Sequence, residues 1–297
     1  EVLLRKICTT ENVMQYFEYL MQLSETEVTR VLIEGLPAKI NSLTEYLKDD
    51  YYALLPLYNF YFTRDACVTI GNNLVVCNMA NNVRARESHI VEAIFDNNKL
   101  FDASIINANN FVGDGASPMN IEGGDVLIVN KDILLIGKGS RTSSQAIDSL
   151  ITQLCKNEKQ RKHVIVQQLP HSPESFIHLD MVFTLLDNNT AMVYKPLILE
   201  NTPYKTIHIQ IDNGKVTKIS TATNIPSALK KLGVDIEPII CGGKADEWVQ
   251  EREQWHSGAN FLSIAPGKVM SYSRNIHALE ELNKNGFEIT SAWDVIN

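Results

Sequence analysis

The 297-residue chain reads as an α/β protein of repeated units, each a β-hairpin usually followed by a helix and another strand, with a small helical module ahead of them. Three observations predict this class. Four pairs of short apolar runs flank tight-turn sequences, helix-period patterns follow three of those pairs, and residues 12–48 carry helical periodicity.

In chain order, Val13, Tyr16, Phe17 and Leu20 lie at helical spacing, and Ser24 with Glu27 three residues on is a capping-box signature for a second helix. Gly35 and Pro37 supply its stop, and residues 42–47 begin another short helical pattern. The first hairpin pairs residues 67–70 with 74–77 across Gly71-Asn72-Asn73, and the second pairs 126–129 with 133–136 across Asn130-Lys131-Asp132. Residues 181–186 and 191–194 flank Asp187-Asn188-Asn189, and 261–265 and 269–272 flank Pro266-Gly267-Lys268. Helical patterns follow at 87–95, 143–155 and 275–285, the last stopping at Gly286 before Phe287-Glu288-Ile289. The third unit carries an extra hairpin, 206–211 with 215–219, around Asn213-Gly214.

A hydrophobic content of 44% is ample for a core, and a net charge of -8 without a dense Lys/Arg run argues against a nucleic-acid partner. No apolar stretch approaches the roughly 20 residues that span a bilayer, so no membrane association is expected and a cytoplasmic location is the default. Five cysteines, Cys8, Cys67, Cys77, Cys155 and Cys241, are widely spread and lack C-x-x-C spacing, so free, mostly buried thiols are expected. Cys67 and Cys77 face one another if the hairpin turn is centred on Asn72, though a disulfide there is disfavoured in a reducing compartment.

Chemistry concentrates in three segments that open apolar runs: Phe62-Thr63-Arg64-Asp65, Glu122-Gly123-Gly124-Asp125 and His178-Leu179-Asp180. Carboxylates gathered away from water repel one another and require a proton, a metal or a cationic ligand. A guanidinium fits, because its N–H groups match carboxylate oxygens in paired, charge-assisted hydrogen bonds. On a strand, His178 and Asp180 point to one face and line one cavity. Each motif also has an ordinary reading: a polar strand face for His-x-Asp, a glycine turn for Glu-Gly-Gly-Asp, a turn or cap residue for Asp65. Their recurrence at corresponding places in three units favours a common pocket, which a rotational arrangement of the units gathers near one axis.

In this order the three motifs resemble those of the arginine deiminase family, within the guanidine-modifying pentein superfamily. Further similarity lies in Asn59, Arg84-Ala85-Arg86-Glu87, Gly139-Ser140-Arg141-Thr142, Glu251-Arg252-Glu253-Gln254-Trp255 and Ala265-Pro266-Gly267. The resemblance implies a pentein α/β propeller of ββαβ-type units, with residues 1–50 an inserted helical module and 51–297 the incomplete catalytic domain. It implies hydrolysis of L-arginine to L-citrulline and ammonia through a covalent cysteine thiouronium, with no cofactor and no metal. Asp65 and Asp180 would clamp the guanidinium, Glu122 would orient His178, and His178 would move protons. Arg84, Arg141 and Asn59 would hold the amino-acid end, and Asp125 would either tie the diglycine turn or touch ligand. A homo-oligomer is expected.

The family's nucleophile lies in a Gly-rich segment that these residues do not contain, and the family's opening strand and hairpin region is also absent. Cys241-Gly242-Gly243 precedes the Glu251–Trp255 segment and is expected to be structural, so the chain alone is expected to be inactive. Alternatives are another guanidine-modifying pentein, such as an amidinotransferase or a dimethylarginine hydrolase, an inactive arginine-binding homologue, or a metalloenzyme using His178 with the acids.

Overall fold

The structure, a computed structural model, describes residues 1–47, 51–113, 119–157, 162–244 and 246–296. It divides into two units, Glu1–Phe111 and Val112–Asn297. The boundary expected at 50/51 abuts residues 48–50, which lie outside the described residues.

The first unit begins with α1 (Val2–Thr10), α2 (Phe17–Gln22) and α3 (Glu25–Glu34). The capping box forms: the Ser24 side chain accepts from Glu27 N while Glu27 accepts from Ser24 N. α3 ends at Gly35, whose φ of 89° favours glycine and where a Cβ would lie 2.7 Å from Leu54 O. There the chain enters β1 (Leu36–Pro37), then the short α4 (Leu43–Tyr46), and returns through β2 (Tyr52–Leu54), antiparallel to β1. Leu4, Ile7, Phe17, Leu20, Leu32 and Leu54 form one core. α1 falls within the helical module expected over 1–50, though its own span was not delimited; it starts without a side-chain cap, but its buried Leu4, Ile7 and Cys8 lie at helical spacing.

After the one-turn α5 (Thr63–Ala66) come β3 (Cys67–Ile70), β4 (Asn73–Val76), α6 (Ala85–Asn97) and β5 (Ser104–Asn107). β4 is central, antiparallel to β3 and parallel to β5, so this is one ββαβ repeat. The turn is one residue tighter than expected: Ile70 pairs with Asn73, which sets Cys67 opposite Val76 rather than Cys77. That slip separates the two cysteines, and both are free. Arg86 ties α6 to the helical module, with Nε and Nη2 donating to Glu11 at 2.6 Å each and Nη1 to Leu32 O at 2.9 Å.

The second unit repeats the connectivity twice. β6 (Val126–Ile128), β7 (Ile133–Lys138), α7 (Ser144–Asn157) and β8 (His163–Gln168) form one copy. The other runs from β9 (Phe183–Leu185) and β10 (Thr190–Val193) through α8 (Lys195–Ile198), β11 (Thr206–Asp212), β12 (Lys215–Ala222) and α9 (Ile225–Lys231) to β13 (Glu237–Ile240), which pairs parallel to β10. The extra hairpin β11–β12 joins the preceding sheet, where β11 pairs with β8 to give the order β12-β11-β8-β7-β6. Leu127, Leu135, Ile165, Phe183, Val193 and Leu229 pack in one core shared by both sheets.

α10 (Glu247–Trp255), β14 (Leu262–Ala265), β15 (Lys268–Met270), α11 (Ile276–Lys284) and α12 (Ala292–Ile296) follow. Among the described residues no strand follows α11, and this last repeat is ββα. No helix among the described residues is long and apolar enough to cross a membrane.

Candidate active site

In the first unit Asp65 sits in α5 immediately before β3, and Arg84 ends a 3₁₀ turn that runs into α6. Arg84 Nη1 donates to Asp65 Oδ2 at 2.8 Å, while Nε and Nη2 donate to the two oxygens of Glu87 at 2.9 and 2.8 Å. All three residues are buried. Burial alone would lower the guanidinium pKa, but Glu87 and Asp65 outweigh it and hold Arg84 above its ordinary value. Asn59 contributes its main chain, its carbonyl accepting from Arg84 Nη2 at 3.4 Å, and its side chain is exposed. Glu87 was not singled out from the sequence as a site residue, yet its (i, i+3) spacing from Arg84 at a helix start is a readable signal.

In the second unit Glu122 is extended and fully buried ahead of the 3₁₀ turn Gly123–Asp125, with β6 next. His178 Nε2 lies 2.8 Å from Glu122 Oε2, and Arg141 Nη1 lies 3.5 Å from Glu122 Oε1. The expectation that His178 and Asp180 share a strand is corrected. His178 is extended, but Leu179–Met181 form a 3₁₀ turn and the strand starts only at Phe183. The two-residue alternation of a strand therefore does not relate their side chains. Both residues are nonetheless buried.

Asp125 explains the turn. Its Oδ1 accepts from Leu179 N at 2.9 Å and its Oδ2 from Thr142 Oγ1 at 2.6 Å, while Thr142 Oγ1 also accepts from Glu122 N at 3.2 Å. One buried carboxyl thus joins the segments bearing Glu122, Arg141 and His178. With both oxygens hydrogen-bonded and no exposure, Asp125 ties the turn. Burial pushes its pKa up to about 6, against the opposing influence of His178 and its hydrogen bonds. Gly137 on β7 gives it room, since a Cβ there would lie 2.2 Å from Asp125 Oδ1 and 2.9 Å from Leu179 Cβ.

Cys241 is fully buried among Met192, Ile239, Phe261 and Leu282. Burial, then Glu253, raises its thiol far above the ordinary value, the reverse of a nucleophile's environment.

The fold is a mixed α/β arrangement that a solved structure shares. Dimethylarginine dimethylaminohydrolase from Pseudomonas aeruginosa, a mutant solved in complex with citrulline, superposes with a TM-score of 0.50 at 15% identity, over 88% of this chain and 87% of that one. Within that class the sequence is decisive: residues 5–292 match the family model "Arginine deiminase", and the chain belongs to the arginine deiminase family. It is 32% identical over 288 residues to the arginine deiminase of Listeria monocytogenes serotype 4b (strain CLIP80459), covering 94% of this chain and 69% of that protein. Against the arginine deiminase of Staphylococcus aureus (strain JH9) it is 34% identical over 261 residues, covering 86% and 62%.

Proposed function

We propose that the complete protein hydrolyses L-arginine to L-citrulline and ammonia without metal or organic cofactor. In this reading the repeats belong to an α/β propeller with residues 1–50 as a helical insertion, and the protein is a cytoplasmic homo-oligomer. Asp65 and Asp180 hold the substrate guanidinium, while Arg141, Arg84 and Asn59 serve its amino-acid end. A substrate carboxylate reaching Arg84 competes with Asp65 and Glu87, the partners it has here.

A cysteine thiolate attacks the guanidinium carbon, forming a C–S bond. His178, as imidazolium, gives its proton to the departing nitrogen, and the C–N bond breaks to release ammonia. The neutral imidazole then takes a proton from water, whose oxygen adds to the thiouronium carbon. Cleavage of the C–S bond leaves citrulline and restores the thiolate. Glu122 stabilises the imidazolium and fixes the ring. None of the five cysteines described above is the nucleophile, so residues 1–297 alone are expected not to turn over; the burial of Cys241 supports this.

The buried Glu122–His178 pair at 2.8 Å, in a chain of this family, carries the reading. The test compares citrulline and ammonia release from L-arginine with ammonia release from agmatine, which lacks the carboxylate, using full-length protein. Loss of one charge-assisted contact costs on the order of 2–5 kcal/mol, so kcat/KM should favour arginine by more than about tenfold. Equal values would refute the roles given to Arg84 and Arg141, and absence of citrulline would refute the activity.

A further inference from the structure

We propose that Gln254 is a positioning residue for His178, an inference that rests on reading His178 as the proton-transfer group. Gln254 lies on α10, whose buried face is polar: Gln250, Glu253 and Gln254 are each 1% exposed. A buried helical stripe is ordinarily apolar. Each of these side chains is spent on main chain elsewhere. Gln250 Nε2 donates to Gly243 O at 2.8 Å, and Glu253 accepts from His277 N and Ala278 N at 2.9 and 2.7 Å in the first turn of α11. Gln254 Nε2 donates to Ser175 O at 2.6 Å and to Met181 O at 3.2 Å.

Ser175 and Met181 stand three residues before and three residues after His178. One amide group therefore grips both flanks of the segment that presents the imidazole, while Asp125 holds its middle through Leu179 N. Without Gln254 the buried Ser175 carbonyl and the part-buried Met181 carbonyl lose a donor, and the segment is free to shift by the fraction of an ångström that separates a productive proton transfer from a poor one.

The experiment compares Gln254→Met with Gln250→Met in the full-length protein. Both variants delete a buried amide-to-carbonyl bond from the same helix face, but only the first touches the His178 segment. Gln254→Met should lower kcat by about tenfold or more, leave KM within about threefold, and displace the His178 ring resonances of the ligand-free protein in NMR. Gln250→Met should leave kcat and those resonances close to wild type at a comparable loss of Tm. Equal effects of the two variants, or an unchanged kcat and unchanged ring signals in Gln254→Met, would overturn the proposal.

Should Gln254→Met not fold, Gln254→Glu decides. Its carboxylate cannot donate, whereas its protonated form supplies one hydrogen bond, so its activity relative to wild type should recover as pH falls. A pH-independent ratio would count against the assignment. The ring resonances are read without substrate, so they test Gln254 even if arginine proves not to be the substrate.

Discussion

The Asp65–Arg84–Glu87 cluster of the first unit and the Glu122–Arg141–His178 cluster of the second are built from similar residues for different ends. In the first, a buried guanidinium, whose proton stays on at any ordinary pH, is fixed between two carboxylates. In the second, a buried carboxylate meets an imidazole, the side chain whose charge changes near neutrality, and its arginine stands off at 3.5 Å. Asp125, which accepts from Leu179 N, has its own pKa pushed up to about 6 by burial. In the reaction proposed above, proton transfer falls to the second cluster, which holds the imidazole.

The sharpest break of this contrast is Arg84→Met beside Arg141→Met. Removing Arg84 strips two buried carboxylates of a shared charge-assisted donor and should cost about 3–5 kcal/mol in urea unfolding of the first unit. Arg141, with a side chain 25% exposed and a longer contact, should cost about 1 kcal/mol or less in the second. Similar losses would mean that the two arginines do equivalent work.

A smaller effect comes from pH, and the two units should respond with opposite sign. Asp125 keeps its proton in the native state over pH 4–6 while the unfolded chain loses it, so its contribution is complete below about pH 4 and is lost as pH rises through about 6. His89 on α6 is held neutral, its pKa lowered to about 4 by burial and then by Lys6. Its contribution is present above about pH 6.5 and is lost as pH falls through 4. Urea midpoints taken between pH 4 and 6.5 should thus rise with acid in the second unit, where all three tryptophans report, and fall in the first, followed by exchange of α6 amides. Asp125→Asn, which can keep both hydrogen bonds, should flatten the former slope and His89→Gln the latter. Slopes of the same sign in wild type would contradict these protonation states.

The distance between what the sequence declares and what it withholds follows interaction range. Ser24 and Glu27 announce α3, and the turns at Asn130 and Asp187 announce hairpins, because capping and turn chemistry act over a few residues. The 3₁₀ turn after His178 depends on Asp125, and the sheet joined by β11–β12 depends on β8, partners that no local pattern specifies. Cys67 and Cys77 show how little is needed: one residue in the turn changed which side chains are neighbours. The three chemical motifs were legible because residue type survives without knowledge of the fold. The scaffolding of Thr142, Gly137 and Gln254 was not, since a threonine, a glycine or a glutamine gains its meaning only from what it touches.

The central claim, that His178 carries the proton in a reaction on arginine, is met most directly by citrulline formation in full-length His178→Gly with and without added imidazole. Turnover should fall by about 10²-fold or more, and imidazole diffusing into the vacated space beside Glu122 should restore part of it. Near-normal turnover without imidazole would contradict the claim and leave His178 as a wall of the pocket.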